Sequence, residues 1–140
     1  MRFAGRISKS GRSWVIEVPM LDLVTRSPTK KEASRRVSEV IESLVNKEGF
    51  KVDVYPGREH TFEVGSSDVA ALSALFLRRQ RLKSGLTLDE VAKRLGLQSH
   101  NAYARYEQGR SVPSVTKLFQ LLSAVSPEQD FLLVESRGEK

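Results

Sequence analysis

Cysteine is absent from this chain of 140 residues. That excludes disulfides and thiolate-bound zinc, and with them any need for an oxidising compartment. Only two histidines occur, His60 and His100, too few and too far apart for a metal site. No apolar run of about 18 residues and no charged-then-apolar leader is present, so neither a membrane span nor a signal peptide is expected. The expected home is the cytoplasm. Internal repeats and low-complexity tracts are missing too, and nothing calls for a cofactor.

What is present is the composition of a folded protein, with 39% hydrophobic and 29% charged residues. The length suits one average domain or two small ones. The net charge is +6, and a division at Gly65 shares it equally between the halves. A basic balance favours an anionic partner such as nucleic acid.

Hydrophobic periodicity divides the chain into unlike parts. Residues 2–8 and 14–18 alternate as strands around a Lys9–Ser13 turn, with residues 21–26 as a possible third strand. Thr29 followed by Glu32 has the spacing of a capping box. The apolar positions Ala33, Val37, Val40, Ile41, Leu44 and Val45 then form one helical stripe, ended by Gly49. Residues 50–55 alternate again, and 61–64 offer a possible continuation of the sheet. The expectation is an α+β domain over residues 1–65, with a sheet of three to four strands and one helix, and with Trp14 in its core. Residues 66–140 read as a second, all-α domain. Ser67 or Asp68 starts a helix over 69–83, Thr87 with Glu90 caps a second, Ser99 a third and Ser114 a fourth. Phe131–Val134 is apolar enough for a terminal strand.

The most specific signal lies in the second part. Leu86-Thr87, Ala92, Leu95-Gly96, Tyr106-Glu107, Gly109-Arg110 and Pro113-Ser114 together resemble the phage-repressor/Cro-type helix-turn-helix family over residues 78–122. That resemblance implies operator double-stranded DNA as partner and an ion pair between Glu107 and Arg81. It also implies a base-reading helix carrying His100, Asn101 and Arg105, with Ala102 and Ala104 able to meet thymine methyls. Thr87, Ser99 and Arg110 are placed for phosphate or cap contacts. Tyr103 and Tyr106, three apart, read as core rings. The segment between Gly96 and Tyr106 is one residue longer than the usual family spacing, which leaves the register of base contacts open by one position.

The front part, with Trp14-Val-Ile-Glu-Val-Pro-Met-Leu-Asp-Leu-Val-Thr25 and the capped helix after it, is similar to HicB antitoxins, as is the Asn101–Pro113 stretch. The resemblance implies a partial RNase H-like domain that binds a small mRNA-cleaving toxin of the HicA type, and a rear domain that represses the shared operon as a homodimer or dimer of dimers. It does not say which surface meets the toxin. Catalysis is not expected. Glu17, Asp53, Glu39 and Glu42 read as solvated charges rather than as a two-metal carboxylate cluster, and His60 beside Glu59 is a coincidence of a turn. The competing reading is a stand-alone regulator whose front domain senses a ligand.

Overall fold

Alternation builds the first sheet. In β1 (Arg2–Ser10), Phe3, Gly5 and Ile7 are buried while Ala4, Arg6 and Ser8 face solvent, the period-two pattern of a half-buried strand. The chain reverses at Gly11 (φ +61°) into β2 (Ser13–Val18), which buries Ile16 and Val18 completely. A single 3-10 turn, Pro19–Leu21, follows. Asp22 in the left-handed region (φ 49°) lets its N–H bond Pro19 O at 3.0 Å and turns the chain into β3 (Leu23–Ser27). Helix α1 (Ala33–Val45) comes next, then β4 (Asp53–Pro56) and β5 (Thr61–Gly65). The five strands lie in the order β3-β2-β1-β5-β4, every neighbour antiparallel.

Helix α1 lies against β2, β3 and β4. It buries Ala33, Val37 and Ile41, matching Phe3, Ile7, Ile16, Leu23 and Val64 of the sheet and Phe50 of the following loop. Each such aliphatic or aromatic side chain contributes about 1.5–3 kcal/mol when fully buried. Close approach fixes one backbone position. Gly5 pairs with Phe62 across the β1–β5 ladder, and a Cβ on Gly5 would stand 2.2 Å from the Phe62 ring.

The computed structural model describes residues 1–136. Two units emerge, Met1–Val69 with Glu135 and Ser136, and Ala70–Val134. The second unit is helical apart from its last residues, with α2 (Val69–Lys83), α3 (Leu88–Arg94), α4 (His100–Glu107) and α5 (Val115–Val125). The class is therefore α+β, as the periodicity predicts. Among the described residues, no helix is long and apolar enough to cross a membrane.

Several details depart from the sequence expectations. The sheet has five strands rather than three to four, because residues 61–65, a possible continuation in the sequence, form a full strand, which lies between β1 and β4. Thr29 Oγ1 accepts from the Glu32 N–H at 3.2 Å, but the helix proper starts at Ala33 with no side-chain cap. Asn46, not Gly49, ends α1. It sits in the left-handed region and donates its N–H to Glu42 O at 2.9 Å. Trp14 is only half-buried, its ring 5.7 Å from that of His60. No strand forms at Phe131–Val134. Phe131 packs edge-on against Phe76 at 5.7 Å, whereas Leu132, Leu133 and Val134 are exposed. An apolar segment becomes a strand only with a ladder partner, and among the described residues this segment has none. Residues 137–140 of the expected second domain lie outside the described residues.

Candidate DNA-binding surface

Helix α2 is mostly buried, with Ala71 to Leu77 and Gln80 all inside. Around it the chain repeats one device. After α2, α3 and α4, a glycine with positive φ (Gly85 +71°, Gly96 +73°, Gly109 +72°) ends the helix. Each time, two backbone N–H groups turn back onto the last carbonyls. Gly96 N–H reaches Lys93 O at 3.1 Å and Leu97 N–H reaches Ala92 O at 2.9 Å. The equivalent pair after α4 is Gly109 to Tyr106 at 3.3 Å and Arg110 to Arg105 at 3.0 Å. This is the Schellman arrangement, which glycine adopts without a Cβ penalty. It stops short helices abruptly and so fixes the angle between them.

The helix starts are set as firmly. Thr87 caps α3 in a full capping box: its Oγ1 accepts from the Glu90 N–H at 3.1 Å, and its own N–H donates to Glu90 Oε1 at 3.2 Å. Ser99 caps α4 by accepting from the Asn101 N–H at 3.2 Å, and Ser114 caps α5 through the Lys117 N–H at 3.1 Å. Between Arg94 and His100 lies the turn that separates α3 from α4. Val91 and Ala92 of α3 and Tyr103 and Ala104 of α4 are buried where these two helices meet.

With Tyr103 and Ala104 inside, the helical period puts Asn101, Ala102, Arg105 and Gln108 outside, and all four are exposed. Asn101, Arg105 and Gln108 recur at intervals of four and three, so they form a single stripe. Asparagine offers adenine a donor and an acceptor, and arginine offers guanine two donors, the chemistry of direct base readout in a major groove. Gln108 has the same capacity as Asn101. Its place on the stripe follows from the spacing to Arg105, a signal the motif reading passed over. Ala104 is not available to thymine methyls, since it is packed inside; Ala102 is exposed.

The remaining candidates fall in distinct places. His100 Nδ1 stands 2.8 Å from Asp89 Oδ1, which ties the first turn of α4 to the first turn of α3. His100 is exposed but already engaged, and Asp89 puts an acidic group at this edge. Arg110 is exposed just beyond α4, and its backbone N–H donates to Arg105 O at 3.0 Å. Of the two tyrosines, Tyr103 is fully buried and Tyr106 only half-buried. The Tyr103 hydroxyl has no hydrogen-bond partner among the described residues. Burial first, then the negative charge of Glu107, pushes its phenol far above the ordinary range and keeps it neutral.

Arg81 and Glu107 form a buried ion pair within the unit. Arg81 Nε donates to Glu107 Oε2 at 2.7 Å and a terminal nitrogen donates to Oε1 at 3.0 Å, a two-pronged pair. A third bond runs from Arg81 to Leu86 O at 3.0 Å. The two side chains retain only 13% and 6% of their exposure. The bonds to Glu107 raise the Arg81 pKa above its already high value, against the opposing effect of burial. The pair thus locks α4 to α2 and neutralises the one carboxylate on α4.

Residues 74–126 match a family model described as a helix-turn-helix domain. The second unit carries a helix-turn-helix. The match covers this part of the chain alone, and no curated protein matches the chain. A helix-turn-helix implies a DNA-binding role for this unit, with α3 as its first helix and α4, across the turn, as the second.

Proposed function

We propose that the protein is a sequence-specific regulator that reads double-stranded operator DNA with α4. The observation that carries this reading is the division of α4 into two faces, with Tyr103, Ala104 and the paired Glu107 turned to the fold and Asn101, Ala102, Arg105 and Gln108 left outside. Thr87 and Ser99, at the starts of α3 and α4, and Arg110 beyond α4 supply phosphate contacts that set the register. His100, held by Asp89, positions the start of α4 rather than reading a base. The single helix-turn-helix works as a homodimer or dimer of dimers on paired half-sites, since one unit makes too few contacts for tight binding. Replacing Arg105 by alanine tests the reading directly. Affinity for the preferred site falls about 10- to 100-fold, with little loss on random duplex. Equal losses on both would reduce Arg105 to a phosphate contact.

We infer further that the first unit neutralises a small HicA-type toxin, which makes the chain an antitoxin that represses its own operon from the cytoplasm. Support comes from the likeness of Trp14–Thr25 and of Asn101–Pro113 to HicB sequences, and from the pairing of a small β-rich unit with a helix-turn-helix. The partial RNase H-like character belongs to this same inference. Enzymatic activity is not part of it. Glu17 is paired with Arg6 at 3.0 Å, Glu39 lies 3.9 Å from Arg35, and Glu42 accepts from the Val52 N–H at 3.0 Å. Co-expression with the product of a neighbouring short reading frame tests the inference: the chain relieves toxicity, and a product that stays equally lethal contradicts it.

A further inference from the structure

The first unit holds a cleft between the start of α1 and the β4–β5 end of the sheet, of about 240 Å³. Its floor is apolar, made by Ile7, Val37, Val54 and Phe62. Its rim carries Lys30, from the loop before α1, and His60, from the β4–β5 turn. No acidic side chain lines it. The Lys30 ammonium makes no ion pair among the described residues and lies 6.0 Å from the Trp14 ring. The His60 ring stands against the same indole.

The turn that presents His60 is strained. Glu59 and His60 are consecutive non-glycine residues in the left-handed region, with φ of 51° and 66°. Such conformations cost free energy and persist where the surroundings enforce them, often at binding sites. Here the enforcement is visible: His60 O accepts from the Ile7 N–H at 2.8 Å, and Thr61 Oγ1 bonds Arg58 O. An extended turn would carry the imidazole elsewhere. The tight β4–β5 turn, closed by the Thr61 N–H on Arg58 O at 3.0 Å, thus places His60 at the cleft.

We propose that this cleft binds a small carboxylate with an aliphatic or aromatic body, such as a short arylalkanoic acid. The floor takes the apolar body. Lys30 supplies a fixed positive charge for the carboxylate, and His60 supplies a ring N–H donor in either protonation state. The volume lies below the range of drug-sized pockets, which limits the occupant to about the bulk of one large amino-acid side chain. All the residues that line the cleft belong to the first unit.

Trp14, the sole tryptophan, lies beside the rim residues His60 and Lys30 and is a built-in reporter. The full-length protein is titrated with phenylacetate, benzyl alcohol and benzylammonium to about 20 mM, a range that reaches weak, millimolar binding, while Trp14 emission is followed. Phenylacetate gives a saturable change and the other two do not. Lys30→Gln with His60→Asn, asparagine being tolerant of the left-handed conformation, weakens phenylacetate about tenfold or more. Val54→Phe, which fills the cleft from a half-buried position, abolishes the change while the circular dichroism spectrum is retained. Absence of saturation with phenylacetate overturns the proposal. So does an equal response to benzyl alcohol or benzylammonium, or an unaltered affinity in the Lys30/His60 variant.

Discussion

Replacing Arg81 by methionine probes the contact that holds α4 in place. The variant keeps most of the side-chain bulk but leaves the Glu107 carboxylate, 6% exposed, without either of its two bonds, and leaves Leu86 O without its donor. Removing one partner of a buried pair costs about 3–5 kcal/mol, because the other charge stays buried and uncompensated. Arg81 retains 13% exposure, so water relieves part of the penalty and the lower end, about 3 kcal/mol, applies. For a unit of this size that corresponds to a fall of about 12 °C or more in its unfolding temperature. Far-ultraviolet circular dichroism reads it, since four of the five α-helices among the described residues belong to the second unit. Adding Glu107→Leu to Arg81→Met removes the stranded charge and recovers most of the loss, which separates the cost of an unpaired carboxylate from the net worth of the pair. A single variant that melts within about 2–3 °C of the parent would refute the reasoning, since it would place the pair's value at that of a surface salt bridge. A double variant no better than the single would refute it as well.

Three further outcomes concern the two cores and one ion-paired carboxylate. Tyr103→Ala empties a fully buried site and costs about 3–5 kcal/mol, whereas Tyr103→Phe removes only a hydroxyl without a partner and is neutral or stabilising by up to about 1 kcal/mol; a large loss in the phenylalanine variant would show that the hydroxyl is bonded. In the first unit, Gly5→Ala sets a Cβ against the Phe62 ring and costs about 1–3 kcal/mol by overpacking, measured by urea unfolding, and an unchanged midpoint would contradict the close approach. The Glu63 carboxyl is held below its ordinary 4.5, first by the Ser136 hydroxyl and then by Arg2. A depressed folded-state pKa contributes stability above the unfolded value and loses it as the pH falls through the folded one. The parent is therefore more stable than Glu63→Gln at neutral pH, and the difference shrinks below about pH 4.5; a difference that is flat from pH 7 to pH 3 would rule this out.

Local chemistry carried much of the second unit into the sequence. Thr87 with Glu90, Ser99 and Ser114 are caps whose partners lie within three residues, and the glycines at 85, 96 and 109 end helices by their own conformation. Such signals act over one turn of chain and can be read there. What sequence could not weigh was tertiary competition. Thr29 and Glu32 have capping-box spacing, yet the chain spends them on a turn and starts α1 later. Asn46 ended that helix before Gly49 could. Residues 61–65 looked like a sheet extension and became an inner strand, because register with Phe3 and Gly5 is set by residues far away in sequence. Tyr103 and Tyr106 have the same chemistry and near-identical spacing, but only Tyr103 fills the core. The strained turn at Glu59–His60 leaves no mark in composition and appears only in the backbone.

The central claim is that the exposed stripe of α4 reads bases. In vitro selection from a random duplex pool tests it most directly, run in parallel with the parent protein and with variants in which Asn101 or Arg105 is alanine. The parent enriches a paired half-site motif, and each variant loses preference at its own base pair while keeping the others, a discrimination of about 1–3 kcal/mol per position. If the parent enriches nothing, or if all three proteins return the same motif, α4 does not read DNA and the account is wrong.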